Sequence, residues 1–417
     1  MKTIVIQHRE AAALMPMAGL AVDTPVPVHA ASVDRRPCIL HFTYSTGGGG
    51  AESMLVNLVE NTDTTRFRTV VVAVNARPWP EAAHRLHRAG ARLYDLEGTA
   101  FLKRETLFKL RAAIHAERPD IMQTWMHHAD FVGGWAARIA GVKKVLWGIH
   151  CREIHRNPED SALKTAFFRL ALRLSSKFIP THVISCSAAA IEDHVKMGYP
   201  RRKMRWIPNG IDAERFVPSA SARAATRAEL DLPEDAPVIG YAGRFHEMKD
   251  LATFFRAAAE LQHRVPEAHF VFCGGSDVEL GAEEREALAL IPNRSQVRFV
   301  AFRADPWRLY PALDIFSLSS RTEACPMTIM EAMACGVPCI TTDVGDCDAM
   351  LDAVGATVPA RDHAALAAAW DKVLQIDDAT RAELARISRQ RVLERFTVAT
   401  AARQYEETWS QMLGVRA

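Results

Sequence analysis

From Cys38 onward, short apolar runs alternate with longer stretches whose apolar positions recur every three or four residues. CILHFTY, RTVVVAV, DIMQTW, KVLWGIH and HVISCS are short and rich in Val, Ile and aromatic residues, so they read as buried strands. Helices are predicted between them: one from about Ala51, one over 81–89 and one over 129–140. A second series begins at VIGYAGR (238–244) and continues through HFVFCGG, VRFVAF, DIFSLSS and PCITTD. Strands joined by helical crossovers lie parallel, which predicts an α/β fold of two doubly wound, Rossmann-like parallel-sheet domains facing a cleft, where ligands are expected. The break falls near 209–237, a polar stretch containing proline. These boundaries divide the chain into 1–36, 37–212, 213–395 and 396–417. In the last part Val398, Ala402, Tyr405, Trp409 and Met412 share one helical face, as in a terminal helix packed on its own domain.

The segment EACPMTIMEAMACGVPCITTDVGD (323–346) carries the densest chemistry. It lies between two predicted strands and holds a helix, with Pro326 suited to the first turn and Gly336 placed to end it. Glu323 then sits in the loop before the helix and Glu331 inside it. The unsatisfied N–H groups and partial positive charge of a helix start seat a phosphate, here near Met327 and Thr328. A carboxylate on either side can accept hydroxyls. That layout matches a nucleotide diphosphate sugar: ribose, two phosphates, sugar. In IGYAGRFHEMKD (239–250), Arg244 and Lys249 follow a strand, where two cations can clamp a diphosphate, and Gly243 lets the backbone approach it. In isolation, an Arg and a Lys at this spacing are more often solvated surface.

The paired glutamates and the strand–Gly–Arg–Lys segment resemble the signatures of retaining glycosyltransferases of the two-domain B fold (GT-B), especially glycosyltransferase family 4. WIPNGID (206–212) is similar to that family's interdomain segment and FTYSTGGGGAE (42–52) to its N-terminal glycine loop. The resemblance covers nearly the whole chain from Pro37. It implies an acceptor-side domain over 37–212, a nucleotide-sugar domain over 213–395, and a final helix, 396–417, crossing back to the N-terminal domain. It implies donor contacts at Gly49, Gly50, Gly243, Met327, Thr328 and Glu331, with Glu331 on the ribose and Glu323 on the transferred sugar. His150, Arg244, Lys249 and Glu323 become the catalytic candidates, His150 resembling the family histidine that touches the donor sugar. Many members have Gly-Phe after the first Glu; Ala324 and Cys325 stand here, which bears on the shape of the sugar pocket. His127, His128 and Asp130 follow a strand and are acceptor-side candidates. Adjacent histidines do not share a helix face, which argues against a chelating pair.

The chain has 417 residues, 49% of them hydrophobic, enough for two cores. Its 51 basic and 49 acidic residues leave a net charge of +2, which gives no general footprint for nucleic acid. Neither GxGxxG nor the GxxxxGK[ST] loop of nucleotide triphosphatases occurs. Eight scattered cysteines without CxxC spacing read as free thiols in a reducing compartment. Glu10 and Pro16 argue against a secretion signal in the apolar start, leaving 1–36 as a poorly ordered extension. Asp346-Cys347-Asp348 matches an Asp-x-Asp metal motif, but its position after a strand suits helix capping, so no metal and no other cofactor are expected. The segment 161–178 carries Lys164, Arg169, Arg173 and Lys177 among Leu, Phe and Ala; it reads equally as a surface helix or as peripheral contact with an anionic membrane.

The expected activity is therefore transfer of a hexosyl group from a UDP- or GDP-sugar to a hydroxyl of a saccharide or lipid-linked acceptor in polysaccharide biosynthesis. The expected location is cytoplasmic, at or near the inner membrane face. Two alternatives stay open: an inactive nucleotide-sugar-binding subunit of a polysaccharide assembly, and a UDP-sugar epimerase on the same fold.

Overall fold

The computed structural model describes residues 34–98, 100–154 and 161–415. Apart from 34–36, the predicted N-terminal extension lies outside the described residues.

Two parallel sheets carry the chain. The first contains β1 (Cys38–Thr43), β2 (Arg68–Ala73), β3 (Arg92–Asp95), β4 (Ile121–Thr124), β5 (Lys144–Ile149), β6 (His182–Ser185) and β7 (Met204–Trp206), in the order β3-β2-β1-β4-β5-β6-β7. The second contains β8 (Val238–Ala242), β9 (His269–Cys273), β10 (Val297–Val300), β11 (Ile315–Leu318), β12 (Cys339–Thr342) and β13 (Ala356–Val358), in the order β10-β9-β8-β11-β12-β13. Both orders reverse direction beside the first strand of the sheet, as doubly wound sheets do, so the loops at the carboxyl ends of β1 and β4, and of β8 and β11, are natural ligand positions.

The central strands are those the apolar pattern predicts, because burial on both faces demands continuous Val, Ile and Phe. β1, β8 and β9 are buried along their whole length. β3, β7 and β13 were not predicted, and all three are sheet edges. An edge strand is covered on fewer sides, so RLYD, MRW and ATV carry too few apolar residues to stand out.

Contacts divide the chain into two units. Among the described residues, one comprises 34–148, 175–182 and 409–415, and the other 149–174 and 183–408. The helix Val398–Leu413 buries Val398, Ala402, Tyr405 and Trp409, the face the sequence periodicity marks. Its tail joins the first unit, where the Trp409 indole N–H donates to Gln123 Oε1 at 2.9 Å and the ring packs edge-on against Phe67. In the second unit an aromatic core of Phe254, Phe255, Phe270, Phe272 and Trp370 lies under the sheet. The Trp370 indole N–H donates to Ser317 Oγ at 3.0 Å, fixing β11 and the loop that leaves it.

Candidate active site

The loop after β8 carries Arg244 and Lys249; the loop after β11 carries Glu323. Backbone sewing holds the two loops together. Arg321 N–H donates to the Met248 carbonyl at 2.8 Å, and Ser319 Oγ donates to the carbonyls of Lys249 and Asp250 at 3.0 and 2.9 Å. Arg321 also pairs with the buried Asp250 at 3.1 Å. The result is a direct ion pair, Lys249 Nζ to Glu323 Oε1 at 2.5 Å, with Ser320 Oγ donating to the same oxygen at 2.7 Å. Arg244 side-chain surface is exposed, while its carbonyl accepts from the buried Tyr241 hydroxyl at 3.0 Å. The loops after β8 and β9 meet as bare backbone: a Cβ on Gly274, which has φ +116°, would lie 2.3 Å from the Gly243 carbonyl oxygen. No side chain fits there, so Gly243 is held close to its neighbour.

Four residues beyond Glu323, the helix Met327–Ala334 begins. Pro326 is its N-cap, one position before the predicted first turn, and no side chain caps the end, so its first N–H groups stay available to an anion. Gly336, at φ +73°, closes the other end as expected. Glu331 lies on this helix, half-buried, and desolvation of its carboxyl pushes its pKa up to about 7 against the opposing effect of Tyr310. The buried Tyr310 hydroxyl donates to Glu331 Oε2. Tyr310 was not a sequence candidate: it sits 21 residues away in a short 3-10 turn before β11.

His150, directly after β5, is held near neutral character: burial lowers its pKa to about 4, while a hydrogen bond with Asn209 works the other way. Asn209 also donates through Nδ2 to the Cys325 carbonyl at 3.0 Å. One amide therefore links the histidine to the loop between Glu323 and Pro326. The PNGID segment drew attention only as a linker; its asparagine is a structural member of the site. Asp346 accepts from Ser187 Oγ at 2.9 Å and from the backbone N–H groups of Ala188 and Ala189 at 2.7 and 2.9 Å. It caps the helix Ala188–Lys196, the role the sequence assigned to this motif in preference to metal binding. Asp346→Ala should lower stability by about 2 kcal/mol, measured by urea unfolding, because a charged acceptor of several N–H and O–H donors is lost.

The remaining candidates lie in the first unit. Gly49 is the N-cap of the helix Gly50–Glu60, which has no side-chain cap. The loop before it runs beneath Trp79: a Cβ on Gly47 or Gly48 would come within 2.5 or 2.7 Å of the indole. The glycines are thus required by an aromatic ring 31 residues or more away, a contact no local pattern announces. His127 is buried at the start of the helix His127–Ile139, and the exposed His128 stacks on Phe101 with centroids 6.0 Å apart. Asp130 differs from its expected place on the acceptor side. It is fully buried, accepts from Thr124 Oγ1 at 2.6 Å and Gly148 N–H at 3.1 Å, and burial drives its pKa well up. Asp130 joins the helix start to β4 and β5 and has no surface to offer a substrate.

Two doubly wound parallel sheets are the architecture of the GT-B fold, and comparison with known proteins gives the family. The Glycosyltransferase Family 4 model matches residues 48–215 and the Glycosyl transferases group 1 model matches 236–375. The chain belongs to these family 4-like glycosyltransferases. EpsF of Bacillus subtilis, which carries a provisional glycosyltransferase name, is 28% identical over 73% of this chain and 79% of its own length. A UDP-Gal:alpha-D-GlcNAc-diphosphoundecaprenol alpha-1,3-galactosyltransferase of Escherichia coli is 25% identical over 58% of this chain and 62% of its own. Among solved structures, Anabaena HepE in complex with UDP-glucose superposes with a TM-score of 0.76 at 21% identity, covering 90% of this chain and 99% of that one.

Proposed function

We propose that this protein transfers a hexosyl group from a UDP- or GDP-sugar to a hydroxyl of a lipid-linked saccharide, with retained anomeric configuration and without a metal ion. The observation that carries this reading is the Lys249–Glu323 pair standing at the uncapped start of the helix Met327–Ala334, with Glu331 farther along it. The diphosphate would lie on the helix N–H groups between Lys249 and Arg244, Glu331 would accept from the ribose, and Glu323 would accept from the sugar. As the bond between the anomeric carbon and the phosphate oxygen breaks, its electron pair goes to that oxygen. Lys249 and Arg244 balance the charge that develops there. The acceptor oxygen then bonds to the anomeric carbon, and its proton passes to the departing phosphate on the same face. Glu323 is occupied by Lys249 and Ser320, which suits it to holding the sugar rather than attacking it.

UDP as the base-bearing half is supported by HepE, solved with UDP-glucose, and a lipid-linked acceptor by the diphosphoundecaprenol substrate in the name of the E. coli relative. Metal independence is supported by the use of Asp346 as a helix cap. Among the described residues no helix is long and apolar enough to cross a membrane, so reaching a lipid-linked acceptor calls for peripheral contact, which we place at the cytoplasmic face. The product's anomeric proton coupling, read by NMR in chelator-treated enzyme, tests the reaction: the donor's α or β configuration is expected in the product. Inversion, or donor turnover without an acceptor, would contradict it, the latter in favour of an epimerase.

A further inference from the structure

The helix Ala162–Phe178 presents a row of large apolar side chains to solvent: Leu163, Phe167, Leu170, Leu174 and Phe178, with exposures of 81, 71, 48, 48 and 75%. Steps of four, three, four and four keep all five within an arc of about 80° and over a length of about 23 Å. The opposite side holds the helix to the protein, with Leu172 and Ser176 fully buried. Phe and Leu exposed in a continuous line are unlike the scattered apolar residues of an ordinary surface, and mark a place where something docks.

Charge identifies the occupant. The 17 residues contain Lys164, Arg169, Arg173 and Lys177 and not one Asp or Glu. All four cations are exposed, and helical geometry puts Lys164 on one flank of the apolar row and the other three on the opposite flank. We propose that this helix lies in the plane of an anionic lipid bilayer, its Leu and Phe side chains among the acyl chains and its Lys and Arg side chains at the phosphate level. A second copy of this chain fits less well, because packing two such faces together would bring their basic flanks together. The row also offers Leu and Phe without a polar tip, suited to hydrocarbon that supplies no hydrogen bonds. This surface deepens the lipid-linked acceptor reading by giving the enzyme a way to reach it, but it is drawn from exposure and charge alone.

The test is co-sedimentation of the full chain with vesicles, without donor or acceptor, so that its failure and that of the transfer reaction are separate results. The protein should pellet with vesicles of equal parts phosphatidylcholine and phosphatidylglycerol, pellet far less with phosphatidylcholine alone, and be released by salt. Phe167→Ser/Leu174→Ser should weaken binding by more than about tenfold, and Lys164→Glu/Lys177→Glu comparably. Both changes are at exposed positions, and an unchanged thermal transition confirms the fold. Absence of binding to anionic vesicles overturns the proposal, as does binding that both variants retain. Sedimentation velocity covers the remaining occupant: a dimer in solution that Phe167→Ser/Leu174→Ser dissociates would make this face a protein interface instead.

Discussion

Lys249→Ala should lower kcat by about a hundred- to a thousandfold while the thermal transition stays close to that of the parent, as expected for loss of a cation that stabilises charge on the leaving phosphate. The side chain is only part-buried, and Glu323, left without its cation, keeps the Ser320 Oγ hydrogen bond, so the fold is expected to hold. Its ion-pair partner is Glu323, at 2.5 Å, and the two loops are already joined through Ser319 and Arg321. Glu323→Gln keeps the shape and the Ser320 hydrogen bond but removes the charge facing Lys249. It should therefore cost less in donor affinity than in turnover, and kcat and KM measured together separate the two. Full activity in Lys249→Ala would remove the diphosphate clamp from the mechanism.

Glu331→Gln should give the second large effect, with opposite signs for function and stability. The Glu331 carboxyl has its pKa raised by burial from 4.5 to about 7. Below that value it is largely protonated and a poorer acceptor for ribose hydroxyls, so donor affinity should rise with pH through about 7. Glu331→Gln should flatten that profile at weak affinity, about tenfold or more below the parent at high pH. Stability runs the other way. Because the folded pKa is above the unfolded one, the native state holds the extra proton, and stability falls as pH rises from 4.5 towards 7, the cost being complete above that. The glutamine escapes this cost and should be more stable at about pH 8 by an amount on the order of 2–3 kcal/mol, with no such gain near pH 4. Tyr310→Phe removes the hydroxyl that opposes the shift, so its affinity profile should move to higher pH. Urea unfolding and nucleotide titration across pH read both halves.

The parts of this site that were legible in the sequence are local ones. Glu323, Pro326, Glu331 and Gly336 fall on a single strand–loop–helix passage, where turn chemistry and helix period suffice to place each residue. Arg244 and Lys249 were legible for the same reason, following β8 directly. Partners brought from a distance were not. Tyr310 is an apolar-looking residue before a strand until its hydroxyl is found against Glu331, and Asn209 gives no sign that it reaches Cys325, 116 residues on. Trp79 against the glycine loop is of the same kind. Asp130 shows the reverse failure: a carboxylate after a strand reads as surface chemistry, yet Thr124 and Gly148 hold it in the interior. In the fold, the edge strands β3, β7 and β13 are hidden because they are short and carry few apolar residues, whereas β10, also an edge, is legible in VRFVAF.

Whether the second unit holds a nucleotide diphosphate sugar is decided most directly by thermal unfolding of the metal-free protein with UDP-, GDP- and ADP-sugars, repeated in Arg244→Ala and Lys249→Ala. A ligand confined to the native state adds about 2.7 kcal/mol of stability at a hundredfold excess over its Kd. One nucleotide class should raise the Tm by several degrees in the parent, with the rise largely gone in both variants. No rise with any nucleotide sugar, or a rise the two variants keep in full, would contradict a donor site built on Arg244, Lys249 and the helix start at Met327.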